Sequence, residues 1–175
     1  MILKIAAALV VLIAAVLIFA TTRPDSFHVE RTTNIKAPPE KIFPLIADLH
    51  SWPTWSPYEK LDPAMKKTYS GAANGKGAAF SWDGNSNVGA GRVEIAGTTP
   101  SSKIDIKLDM TRPMEGHNNV EFRLTQKEGG TDVTWAMDGQ YAYVAKVIGL
   151  FLNMDKMMGG EFENGLANLK KIAEQ

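Results

Sequence analysis

The sequence predicts an α+β domain in which an antiparallel sheet of about seven strands has one face covered by a long helix at the carboxyl end. Two periodicities predict it. From Lys66 to Met137 apolar and polar residues alternate in short segments parted by turn residues, and from Asn153 to Ala173 apolar residues recur at helical spacing. A third observation stands apart from the domain: Ile5 to Ala20 reads IAAALVVLIAAVLIFA, without one polar side chain.

As a helix that bare run spans about 24 Å, and Met1 to Thr22 about 31 Å. The longer stretch matches a hydrocarbon thickness of about 30 Å if Lys4 snorkels. Residues 1–24 therefore read as a transmembrane anchor that meets the membrane through residues 5–20. A cleaved signal peptide is the competing reading, with Lys4 as its charged region and Ala20-Thr21-Thr22 as a weak small-x-small site. The run is long for such a peptide, and Thr22 is a poor substitute for alanine at a cleavage position. A buried core helix is the third reading, although an all-round apolar helix needs burial on every side. Lys4 and the amino terminus face Arg23, Arg31 and Lys36, so the count of positive charges leaves orientation open. The short leading tail favours a signal-anchor, with a single pass through the inner membrane if the source is bacterial and the domain outside the cytoplasm.

Residues 25–175 read as the soluble domain. Phe27 to Ile35 is rich in β-branched residues and forms a first strand, with Val29, Arg31 and Ile35 on one face. Ala37-Pro38-Pro39 stops it and opens a helix, since proline in a first turn lacks an N–H that had no partner there. Ile42, Phe43, Leu45, Ile46 and Leu49 form the stripe of that helix, with Pro44 in its first turn or bending it. His50 to Tyr58, HSWPTWSPY, has the composition of a rigid loop or short helical turn. Tyr69 marks a short strand, and Phe80 and Trp82 share one side of the next. Val93 and Ile95 follow, then Ile104, Ile106, Leu108 and Met110 against Lys103, Asp105, Lys107 and Asp109. Val120, Phe122 and Leu124 make another strand, and Val133, Trp135 and Met137 the last. The turn signals are Asp83-Gly84-Asn85, Thr99-Pro100-Ser101 and Glu128-Gly129-Gly130. One-sided strands joined this closely imply antiparallel neighbours with one wet and one covered face.

The cover comes from Met154, Met158, Phe162, Leu166, Leu169 and Ala173, one stripe of an amphipathic helix. Val144, Val147, Ile148, Phe151 and Leu152 form a shorter apolar stripe before it. Gly159-Gly160 costs about 1 kcal/mol per glycine inside that helix, which a close backbone contact or a kink would explain as well as drift.

Composition excludes several functions. Nineteen Lys plus Arg balance 19 Asp plus Glu, so there is no basic groove and nucleic acid is not an expected partner. The absence of cysteine removes disulfides, thiolate nucleophiles, iron-sulfur clusters and cysteine-bearing zinc sites. His28, His50 and His117 are scattered, so no metal and no cofactor is expected. Gly75-Lys76-Gly77 lacks the Ser or Thr of a phosphate loop, and Gly89-x-Gly91 lacks the third glycine of a dinucleotide site.

The order of elements is that of the helix-grip fold, and the local sequence resembles the SRPBCC, START-like or polyketide cyclase/dehydrase-like superfamily. Ile35-Lys36-Ala37-Pro38-Pro39-Glu40-Lys41-Ile42-Phe43 resembles its first strand-to-helix junction, and Trp52-Pro53-Thr54-Trp55-Ser56-Pro57 its next loop. Gly91 to Ile95, Val133 to Met137 and Phe162 to Lys170 resemble later segments. The resemblance covers residues 27–174 and speaks for fold more than for chemistry, because the superfamily includes lipid carriers, hormone receptors, cyclases and chaperone activators.

What the resemblance implies is a curved sheet gripping the long helix around a cavity for hydrophobic ligands. Alternation then points Phe80, Trp82, Leu108, Met110, Trp135 and Met137 inward, Met154, with Met157 or Met158, comes from the helix, and Trp52, Trp55 and Tyr69 stand at the rim. Aromatics with polar tips and adaptable methionines suit a sterol, fatty acyl or polycyclic ligand. The same residues at the same spacings also describe a filled core. Catalysis has less support. Arg31, Glu59, Glu115, His117 and Asn118 are the available polar candidates; Arg31 reads as a structural ion pair, His117 as an exposed turn, and Glu59 and Asp62 as solvated surface. No catalytic residue is assigned. The expected function is a membrane-tethered binding domain for a hydrophobic small molecule or lipid; the alternatives are a cyclase or dehydrase on an apolar substrate and a protein-interaction module.

Overall fold

A computed structural model describes residues 1–151 and 153–175; Leu152 and the side chain of Met154, both named above, lie outside what is described. Seven strands form a single antiparallel sheet: β1 (Ser26–Ile35), β2 (Lys66–Gly71), β3 (Ala78–Asp83), β4 (Ala90–Thr99), β5 (Lys103–Arg112), β6 (Gly116–Lys127) and β7 (Gly130–Gln140). Their order is β1-β7-β6-β5-β4-β3-β2, so β2 to β7 make a meander and the first strand closes onto the last. That pairing runs from Ser26 opposite Gln140 to Ile35 opposite Thr131. Register shifts at Ala90/Gly91 and Ile95/Gly97 in β4 bend the sheet, as an extra residue on one strand does.

Alternation sorts the two faces. Lys103, Asp105, Glu121 and Arg123 pair across β5 and β6 on the wet face. Val29, Ile35, Val93, Ile95, Ile104, Phe122 and Val133 are buried on the other. A helix, α6 (Met154–Ala173), lies against β1 and β7, capped by Asn153, whose side chain accepts the Lys156 N–H at 2.9 Å. Phe162, Leu166, Leu169 and Ala173 are its fully buried stripe. The result is the helix-grip fold.

Between β1 and β2 the chain forms α2 (Pro39–Ala47), a 3₁₀ turn (Leu49–Ser51), α3 (Trp52–Trp55) and α4 (Tyr58–Leu61). Pro44 falls inside α2, beyond its first turn. The tryptophan-rich segment folds back because α2 leaves its last carbonyls free: Trp52 Nε1 donates to Ile46 O at 2.9 Å and Trp55 Nε1 to Leu45 O at 2.8 Å. Both indoles are thereby buried with their polar atoms satisfied.

The amino-terminal helix α1 (Ile2–Thr21) stands clear of the sheet, with Ala20 its one buried residue, which removes the core-helix reading. It is the one helix among the described residues long and apolar enough to cross a membrane. Its last turns meet a short helix, α5 (Tyr143–Ile148), which links β7 to α6.

Candidate ligand-binding site

The inner rows of the sheet run from complete burial at one end to partial exposure at the other. On β5, Ile104 and Ile106 are 0% and 2% exposed, whereas Leu108 and Met110 are partly exposed. On β3, Ala78 and Phe80 are buried and Trp82 is not fully covered. Along α6, Leu169, Leu166 and Phe162 are buried and Met158 is partly exposed. The covered end carries α2 and α3. The open end gathers the starts of β1, β2, β4 and β6, the ends of β3, β5 and β7, and α4, α5 and the first turns of α6.

The eleven residues predicted to line a cavity separate along this gradient. Trp52, Trp55, Phe80, Trp135 and Met137 lie in the core. Trp52 and Trp55 are therefore not at a rim, since their indole N–H groups are drawn inward by the carbonyls of α2. Trp82, Leu108, Met110 and Met158 lie at the open end. Tyr69 is exposed on β2, stacked on His50 at 4.1 Å. Met154 lies outside what is described. An aromatic cluster joins these groups: Trp82 to Phe80 at 6.1 Å, Phe80 to Trp52 at 5.9 Å, Trp52 to Trp55 at 5.4 Å, Trp55 to Trp135 at 5.7 Å, and Trp135 stacked on Phe162 at 4.3 Å. Each such contact adds about 0.5–1.5 kcal/mol beyond area burial, so the cluster is a stiff wall. Gly91 gives Trp82 its seat: a Cβ there would stand 2.5 Å from the indole ring.

Polar groups are sparse on this surface. Lys67, opposite Trp82 in the β2–β3 register, points inward, pairs with Glu59 of α4 and lies 5.2 Å above the Phe80 ring. Burial lowers its ammonium to about 8 even with the carboxylate alongside. Tyr58, also on α4, is half-buried, and burial, with the Glu161 carboxylate of α6 nearby, pushes its phenol well above the usual range. Trp135 Nε1 is buried with no acceptor among the described residues, a deficit of about 1–3 kcal/mol that a ligand oxygen or a water would relieve. At the β1 side Arg31 donates to Glu163 at 2.7 Å and to Asp155 at 3.0 and 3.2 Å, tying the first turns of α6 to the sheet. Asp155 lowers its own proton affinity by this contact and raises that of Arg31.

Two of these groups depart from the sequence reading. Glu59 is not solvated surface but the partner of an inward lysine. Asp62 is buried, accepting the Ala64 N–H at 3.1 Å and the Asn85 N–H at 2.7 Å, which pins the β3–β4 turn to the end of α4. Lys67 was open to detection by its parity with Tyr69, but a six-residue strand with one aromatic residue does not fix its own phase. The histidines stand apart from the inner face on exposed side chains: His28 meets Asp138 and Glu30, His50 meets Asp48, and His117 meets Asp109 and Glu115. Glu115 and Asn118 belong to the open end, Glu115 exposed and Asn118 half-buried. No cluster of metal-ligating side chains occurs among the described residues.

A groove of about 580 Å³ lies at the foot of α1, bordered by Arg23, Pro24, Phe27, Lys146, Phe151 and Asp155. A second, of about 370 Å³, surrounds His28, His117 and Asp138 on the wet face. Neither is lined by any of the eleven predicted residues.

The chain belongs to the family described as polyketide cyclase / dehydrase and lipid transport, which matches residues 26–174. Solved structures share the fold at low identity. The di-domain ARO/CYC protein BexL of the BE-7585A biosynthetic pathway is 14% identical with a TM-score of 0.67, over 90% of this chain and 53% of its own. The Aha1 dimer from Colwellia psychrerythraea is 16% identical with a TM-score of 0.60, over 85% and 96%. A protein from Chromobacterium violaceum is 13% identical with a TM-score of 0.61, over 87% and 99%. Among curated proteins none matches the sequence.

Proposed function

We infer that residues 25–175 bind a hydrophobic small molecule or lipid at the open end of the grip, and that residues 1–24 tether this domain to a membrane. One observation carries the binding reading. The apolar inner face is sealed by protein at the α2 end but left partly uncovered at Trp82, Leu108, Met110 and Met158. Apolar surface turned inward and not covered by the chain's own side chains is what an apolar ligand covers. Lys67 and Glu59 supply a polar corner for a ligand's head group, and the orphan Trp135 N–H a donor deeper in. The family's description includes lipid transport, which agrees with this reading. In this reading α1 crosses the membrane once, the inner membrane if the source is bacterial, and the short tail before it favours a domain outside the cytoplasm.

Tryptophan emission and melting temperature, recorded against a panel of fatty acids, phospholipids and sterols, test the reading. A ligand at a hundredfold above its dissociation constant raises stability by about 2.7 kcal/mol. A panel that moves neither quantity rejects it.

A cyclase or dehydrase role is the second reading, favoured by Lys67, a buried amine lowered to about 8 beside a carboxylate. Such an amine is suited to proton transfer near neutral pH. Turnover of an apolar polyketone that is lost in Lys67→Met while binding persists distinguishes catalysis from carriage.

A further inference from the structure

We propose that α5 and residues 149–151 after it form a strap that lies in the headgroup region of the same bilayer that α1 spans, so that the open end of the grip faces the membrane surface. This rests on the anchor reading of α1. The first support is a contact: the Tyr143 hydroxyl donates to Leu17 O at 2.7 Å, and Ala20 and Ala145 are buried where the two helices meet. Leu17 precedes the end of α1 at Thr21 by four residues, an axial rise of about 6 Å. A bilayer that covers Leu17 therefore also covers α5.

The surface of the strap has the chemistry of that location. Val144 is 56% exposed, Phe151 73% and Met157 54%, with Tyr143 and Ile148 also exposed. Scattered apolar residues on a soluble surface are ordinary, but these five fall within fifteen consecutive residues beside an apolar helix. From Tyr143 to Phe151 the single charged residue is Lys146, and its side chain is 9% exposed because it folds back onto Asp25. Six helical residues are too few to span a bilayer, yet they suffice to lie in its interface, where tyrosine is at home.

Chain length fixes the rest of the geometry. Residues 22–25 alone separate α1 from β1, and four extended residues reach at most about 14 Å. Since β1 begins at the open end, that end cannot leave the membrane surface. Leu61 and Met114, each 38% exposed, lie at this same end of the sheet. An apolar ligand can thus pass between the leaflet and the grip without crossing bulk water.

The test uses full-length protein in vesicles of phosphatidylcholine and phosphatidylglycerol, with and without brominated acyl chains. The chain has no cysteine, so Leu17→Cys, Val144→Cys, Phe151→Cys and Lys127→Cys each carry a single fluorescent label. Val144 and Phe151 are exposed, so their replacement leaves the core intact. Bromine quenching at positions 144 and 151 within about twofold of that at 17, with none at 127, is the expected result. Quenching at 17 with none at 144 and 151 overturns the strap and leaves the anchor standing. No quenching at 17 overturns the anchor and the strap together.

Discussion

Arg31 and Gly159 explain each other. The guanidinium reaches its carboxylates only because α6 has no side chain at position 159, where a Cβ would stand 2.0 Å from Nη2; at Gly160 the same atom would meet nothing within 4 Å. Gly160→Ala is therefore expected to stabilise the fold by about 1 kcal/mol through helix propensity. Gly159→Ala is expected to give no gain, because displacing the guanidinium costs its contacts with Asp155 and Glu163; thermal melts of the two variants check this, and equal stabilisation would contradict it. In the sequence the glycine pair stands out as a cost, but only the partner across the sheet tells the two residues apart. Lys67 yields a second prediction. Its folded value of about 8 lies below its ordinary 10.5, so between those values the unfolded chain holds a proton that the folded chain has released. Wild-type stability should rise across that window relative to the Glu59→Gln/Lys67→Met pair variant, which removes both charges. A flat or falling difference in denaturant midpoints would show that burial does not disfavour this ammonium.

At the scale of elements, the grip depends on one face of α6. Phe162 stacks on Trp135 and Leu166 is fully buried, so truncating either to alanine should cost roughly 2–5 kcal/mol in denaturant unfolding. Lys171→Ala, on the exposed side, should cost little, and comparable losses from both faces would mean the helix is not docked this way. Elements with strong periodicity are legible in sequence: α6 begins and ends within a residue of its apolar stripe, and β5 follows Ile104, Ile106, Leu108 and Met110. Elements held by tertiary contacts are not. The single-turn helix α3 of the tryptophan-rich segment is held because both its indoles find the last carbonyls of α2, a relation with no local signature. The same limit hides Asp62, whose partners lie as far away as Asn85.

Across the whole molecule, burial falls from the α2 end of the sheet to the α1 end, and the uncovered apolar surface lies where the chain approaches its candidate membrane segment. Alternation tells which side chains face inward, yet it cannot tell where along each strand the cover stops, because that depends on the length and placement of α2, α3 and α6. Partial exposure of Leu108 and Met110 is the consequence that matters for function. The most direct test is native mass spectrometry of full-length protein released from membranes in mild detergent, with Leu108→Trp measured alongside. Wild type should carry an apolar adduct of defined mass, and the bulkier side chain, filling the open end, should remove that adduct while the melting temperature of the empty protein holds. An adduct-free wild type, or an adduct retained undiminished by Leu108→Trp, would contradict a ligand site at the open end of the grip.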